Sequence, residues 1–178
     1  VYQPHRYSGS VLAVDSVGSL LASAVGAVAW GTEGWSVGGS PDEGAGASYI
    51  ALNSVTGLSG DASIEVVIKI DATSGSTIVG MPIFDCGAND AAGASNIVLS
   101  VLPTTGFLQI AVGALRAPLV STTPLPRNVW THVVATISSN GANLFIDGVL
   151  ATSSSSFIGA PPGPRAVCRI AQSSSATG

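Results

Sequence analysis

The stretch RNVWTHVVATISSNGANLFIDGVLA, residues 127–151, decides the fold. Val129 to Ile137 is dense in β-branched and aromatic residues, the side chains that suit a pleated, half-buried strand. Ser138-Ser139-Asn140-Gly141-Ala142 follows as a turn, where Gly takes a positive φ without steric cost. Asn143 to Ile146 is a second, shorter apolar run. Asp147-Gly148 then fits a two-residue type I′ turn ahead of Val149-Leu150-Ala151. Strands this close together, joined by tight turns, commit the domain to antiparallel β structure.

The same stretch carries a family resemblance. Trp-x-His-Val-x-x-Thr, a polar turn and Leu-Phe-Ile-Asp-Gly-Val-Leu are supplied by Trp130, His132, Val133, Thr136, Leu144, Phe145, Ile146, Asp147 and Gly148. The pattern resembles the signature of laminin-G-like domains of the concanavalin A-like sandwich superfamily. The resemblance implies an all-β antiparallel sandwich, a jelly roll of concanavalin A-like type. It makes residues 1–178 a single domain, expected to be part of a larger protein. Ala62 to Asp71 is similar to the family's Phe-Thr-Ile-Glu-x-Trp-Val-Lys strand, with Val67 in place of the usual Trp. Ala166 to Gln172 is similar to its Arg-Ile-Gly-Arg-Ser segment. The family's closing strand, of the type Gly-x-Ile-Asp-Glu-Val-x-Ile-Tyr, has no match after Gln172. Either further sequence or a neighbour supplies that strand, or Val11 to Val14 takes its place. An uncapped sheet edge invites pairing with another chain.

Composition agrees with one small-residue β domain. The 178 residues are enough for a sizeable core, and only 9% are charged. The near-absence of Lys and Glu argues against long solvent-facing helices. Five Arg and one Lys are scattered along a chain of formal net charge −4, so no basic run exists to neutralise phosphates and nucleic acid is excluded as a partner. Ser16 to Trp30 is too short and too diluted by Gly and Ser to span a bilayer, so no membrane insertion is expected. No signal peptide is visible at Val1-Tyr2-Gln3-Pro4; a mature secreted protein would look the same, as would an internal slice of a longer one. Cys86 and Cys168 are compatible with one disulfide or with two buried thiols.

Taken in order, Val1 to Ser10 reads as a lead-in and Val11 to Val14 as a short strand. Val25 to Gly31, Gly34 to Val37 and Tyr49 to Leu52 follow as strands. Along Ala62 to Asp71, Ile64, Val66, Ile68 and Ile70 alternate with Glu65, Val67 and Lys69, giving one core face and one wetter face. Ile78 to Cys86 is a strand whose Pro82 marks an edge or a bulge. Asn96 to Leu102 and Gly106 to Val112 form a hairpin. Arg116 to Pro126 is a Pro-punctuated connector, too irregular for a central strand. Gly159 to Pro164 is a stiff loop, Ala166 to Gln172 the last strand, and Ser173 to Gly178 a tail.

Enzyme chemistry finds little support. Glycoside hydrolases share this superfamily and need two carboxylates about 5–5.5 Å or 6.5–9.5 Å apart across one bond. Their Glu-x-Asp-x-x-Glu triplet is missing here; the close acidic pairs are Asp42-Glu43 in a loop and Asp61 with Glu65. His5 and His132 offer no Ser-His-Asp pattern, and His132 reads as a structural histidine. Two His and two distant Cys give no zinc spacing. Many relatives hold Ca²⁺ through oxygen ligands on rim loops. Asp85, Asn89 and Asp90 are the candidates here, with Asp85 and Asp90 as the expected ligands and Asp42 and Asp15 as weaker ones. The bland alternative is an Asx-turn capping the strand. Replacing Asp85 and Asp90 is expected to leave the metal-free fold intact.

Sugar binding calls for aromatic platforms beside hydrogen-bonding groups. Trp130, Phe107 and Phe145 read as core, with Trp130 essential to it; Trp35 and Tyr49 read as surface platforms, with Asn89 and Asp90 as polar contacts. The leading expectation is a non-enzymatic extracellular recognition or adhesion module, binding a glycan or an extracellular protein through loops at one rim. The alternative is a structural building block of a polymeric surface assembly, self-associating through an open sheet edge.

Overall fold

A computed structural model describes residues 12–14, 21–25, 28–31, 34–37, 49–52, 58, 60–70, 81–87, 96–113, 117–156, 165 and 167–171, with backbone alone at 12–14, 21, 29–31 and 34–37. All the regular structure among the described residues is β. The strands are β1 (Leu12–Val14), β2 (Leu21–Val25), β3 (Val28–Gly31), β4 (Gly34–Val37), β5 (Tyr49–Leu52), β6 (Ala62–Lys69) and β7 (Met81–Gly87). They continue as β8 (Ile97–Val101), β9 (Phe107–Val112), β10 (Leu119–Pro124), β11 (Trp130–Ser138), β12 (Gly141–Ile146), β13 (Val149–Ser154) and β14 (Val167–Ile170). One sheet runs β1-β2-β5-β14-β7-β8-β9-β10, a second runs β13-β12-β11-β6, and β3 pairs with β4. Every strand pairing is antiparallel.

The two larger sheets form a concanavalin A-like sandwich whose core follows from alternation. Thr131, Val133, Ala135 and Ile137 of β11 point inward, as do Ala142 and Leu144 of β12 and Ile64 of β6. Val66, Ile68 and Ile70 pack partly buried against the same core. The larger sheet contributes Ile50, Leu52, Cys86, Ile97, Leu99, Leu108, Ile110 and Cys168. Each sheet thus has one face in the core and one turned outward, the usual economy of antiparallel sheets. At one side the sheets are tied by Thr122 Oγ1, which donates to the Ala151 carbonyl at 3.0 Å.

The organising meander forms as its turn chemistry requires. Asp147 (φ 49°) and Gly148 (φ 78°) take the two left-handed positions of the β12–β13 turn. Gly141, at φ 129°, opens β12 directly beside the Ser154 carbonyl, where any Cβ would collide with backbone. Pro82 sits at a register shift between β7 and β8, the bulge that its missing N–H predicts.

Several expectations are corrected. Within the expected connector, Leu119–Pro124 is strand β10, tolerated despite Pro124 because among the described strands it ends the sheet and pairs with β9. The strand expected over Val25 to Gly31 is divided between sheets: Val25 ends β2 in the larger sheet, and Val28–Gly31 is β3, paired with β4. The last strand, β14, is central, between β5 and β7. Strand β1 borders β2 at the edge of the larger sheet, while β6 pairs with β11 as an end strand of the smaller one. The lead-in, Asp15, Asp42-Glu43, the loop carrying Asn89 and Asp90, Gly159 to Pro164 and the tail lie outside the described residues.

Candidate functional site

The outward face of the four-stranded sheet assembles itself from the polar phase of the same alternation. Lys69 stands opposite Trp130, and Val67 opposite His132. The next row is Glu65, Val134, Phe145 and Leu150, and the one after it Ser63, Thr136, Asn143 and Ser153. Trp130 is 41% exposed, Val67 60% and Leu150 51%. This corrects the assignment of Trp130 and Phe145 to the core. Trp130 is in phase with His132 and Thr136, so its ring lies on the wet face, and Phe145 shares that face opposite Val134. Phe107 is likewise only partly buried, in phase opposite to Leu108 and Ile110.

Polar groups on this face are mutually positioned. The His132 imidazole donates through Nε2 to Glu65 Oε1 at 2.8 Å, both side chains remaining substantially solvent-exposed. The Lys69 ammonium lies 5.9 Å from the centre of the Trp130 ring, within cation–π range. Asn143 Nδ2 donates to Thr136 Oγ1 at 3.1 Å. The backbone under His132 is fixed by Asp147, whose Oδ1 accepts from the His132 N–H while its own N–H donates to the His132 carbonyl, each at 2.8 Å. The result is an exposed aromatic ring, a second, half-buried ring further along the sheet, the His132–Glu65 pair alongside the span between them and the Asn143–Thr136 pair beyond. Such an arrangement suits stacking and hydrogen bonding to a polyhydroxylated ligand.

The residues proposed from sequence lie elsewhere. Tyr49 is on the outward side of the larger sheet, half-buried, with the Arg169 guanidinium 4.8 Å from its ring centre. Arg169 stands opposite Asp85 in register. Asp85 is buried, and its Oδ1 accepts from Asn96 Nδ2 at 3.0 Å. The Asn96 amide occupies the space where a Cβ on residue 87 would fall, which leaves room only for Gly87. A buried, hydrogen-bonded Asp85 corrects the expectation that it can be neutralised without cost to the fold. Asn89 and Asp90 lie outside the described residues, and Trp35 is described only as backbone, on β4 opposite Trp30. Among the described residues no three His, Cys, Asp or Glu side chains cluster as a metal site. Cys86 and Cys168 are direct cross-strand neighbours with Cα atoms 4.0 Å apart, and their sulfurs are bonded.

A family model described as the concanavalin A-like lectin/glucanases superfamily, Laminin_G_3, matches residues 43–178. The chain belongs to this superfamily. Among solved structures, the laminin-G-like chain is similar to domain 4 of AbnA, an extracellular GH43 arabinanase from Geobacillus stearothermophilus, in complex with arabinotriose. The TM-score is 0.64 at 20% identity, over 90% of this chain and 78% of that one. It is also similar to botulinum neurotoxin type C, whose cell entry depends on two ganglioside molecules. There the TM-score is 0.61 at 14% identity, over 96% of this chain and 47% of that one, so this chain spans about half the length of the matched chain. At these identities the likeness is one of fold. Comparison with curated proteins gives no match.

Proposed function

We propose that this laminin-G-like domain is a non-catalytic glycan-binding module, working outside the cell, with its ligand on the outward face of the four-stranded sheet. The observation that carries the reading is the exposed Trp130 ring beside the oriented His132–Glu65 pair. An exposed indole is a stacking surface for the C–H face of a sugar, and a carboxylate–imidazole pair offers acceptor and donor to hydroxyls. The similar arabinanase domain, seen with arabinotriose, and the ganglioside-dependent toxin lend support from the same fold. A non-catalytic role is supported by the carboxylates themselves. Among the described residues, Asp61 accepts from the Ser139 N–H, Asp147 from the His132 N–H, and Asp85 is buried with Asn96. Among the described residues, no second carboxylate is paired with Glu65 across a shared site, as hydrolysis needs. The Cys86–Cys168 bond supports an oxidising, extracellular setting.

Native electrophoresis through gels containing soluble polysaccharides tests the reading. The wild type is expected to be retarded by at least one of them, and Trp130→Ala to run as in the empty gel while keeping its circular dichroism. Retardation unchanged in Trp130→Ala would move the site off this face.

The exposed Val67, Val149 and Leu150 favour a second reading, a building block that contacts other copies of itself through apolar surface. Light scattering across a concentration series separates the two, since only a building block grows in mass.

A further inference from the structure

The face has two aromatic stations and matched charges, and both features bear on the kind of glycan. Phe145 lies opposite Val134, four residues along β11 from Trp130 and one strand over. At about 3.4 Å per residue and about 4.8 Å between strands, the two stations are roughly 14 Å apart along the sheet. One sugar ring cannot touch both.

Between the stations the surface alternates apolar and polar groups: Val67 and His132 in one row, Glu65 and Val134 in the next. The Phe145 station continues into Leu150 on β13, forming a short apolar strip with Val134. The charges are internally balanced. The Glu65 carboxylate is held by His132, and Lys69 sits over the Trp130 ring. Among the described residues, Lys69 is the one cation that β6, β11, β12 and β13 place on this face, so these strands do not themselves cluster positive charge for sulfate or carboxylate groups.

Resting on the glycan-binding reading above, we infer that the ligand is an uncharged oligosaccharide laid along β11, stacked at Trp130 and again at Phe145, rather than a single terminal sugar or an acidic glycan.

Titration calorimetry tests this with a size series, from monosaccharide to hexasaccharide, cut from whichever neutral polysaccharide retards the protein. Polygalacturonate and heparin serve as acidic comparators. Affinity is expected to rise about tenfold or more between the monosaccharide and the longer members, and to change little with added salt. Phe145→Ala should remove most of that rise while sparing the weak binding of the shortest sugars. If Phe145→Ala does not fold, Leu150→Gln on the same strip should lower affinity for the longer members only. Full affinity at the monosaccharide, or long-chain binding untouched by either variant, would overturn the inference while leaving a glycan module standing. So would preferential, salt-sensitive binding of the acidic polymers. Binding of no carbohydrate at all would overturn the functional reading with it.

Discussion

His132 and Asp147 are locked to each other by two 2.8 Å hydrogen bonds, one from the His132 N–H to Asp147 Oδ1 and one from the Asp147 N–H to the His132 carbonyl. Two residues of the sequence signature, far apart in its spelling, are therefore a single device. The turn that reverses β12 into β13 also fixes the strand position that presents the imidazole to Glu65.

Asp147→Ala should accordingly cost about 1–2 kcal/mol, from the lost acceptor and because Ala tolerates the left-handed φ less well than Asp or Asn. Asp147→Asn keeps an Oδ1 acceptor and tolerates that conformation, so it should lose far less. Denaturant melts of both variants check this. Equal losses would mean that the carboxylate charge, and not the hydrogen bond, holds the turn.

Trp130→Ala should lower stability by only about 1 kcal/mol, whereas Leu144→Ala, at a fully buried position, should lose about 2–5 kcal/mol. Chemical denaturation of the pair gives the answer directly. A Trp130→Ala loss as large as that of Leu144→Ala would return the indole to the core.

How far the sequence could be read is best seen on β6 and β11. Along β6, strict alternation of Ile64, Val66, Ile68 and Ile70 with Glu65, Val67 and Lys69 assigned both faces correctly. Along β11 the same test was available, because Val133, Ala135 and Ile137 set the inward phase and Trp130 is out of step with it. Hydrophobicity read residue by residue hid what the period of two shows. Strand β10 was hidden for a different reason: edge pairing relaxes the demand for N–H donors, so prolines near its ends did not forbid it. The position of β14 between β5 and β7 depends on contacts far apart in sequence, which local pattern does not encode. The face around Trp130 was missed because its members are single residues on separate strands, brought together only by register.

The disulfide closes a long loop, Cys86 and Cys168 being 82 residues apart. In the chain-entropy model this restricts the unfolded state by about 4–5 kcal/mol. Reduction and alkylation of both thiols, or replacement of Cys86 and Cys168 by Ala, should lower the melting temperature markedly. A protein that carries two alkylatable thiols when freshly isolated, or a variant that melts with the wild type, would show that the bond does not contribute.

Asp85 bears on the calcium expectation. Its carboxylate is buried and accepts from Asn96 Nδ2, so a bound ion would have to share an acceptor already in use. Asp85→Asn should destabilise the metal-free protein by about 1–3 kcal/mol, because the new amide presents a donor to a donor wherever its NH₂ faces Asn96. Asn96→Ala should cost a similar amount, and the double variant should lose less than the sum, the mark of two groups acting through one interaction. Melting each with and without millimolar Ca²⁺ separates the two roles. A wild-type rise in melting temperature with Ca²⁺ that vanishes in Asp85→Asn but survives in Asn96→Ala would make Asp85 a ligand. Losses unaffected by the ion in all variants would leave Asp85 and Asn96 as a buried hydrogen-bonded pair that holds β7 against the start of β8.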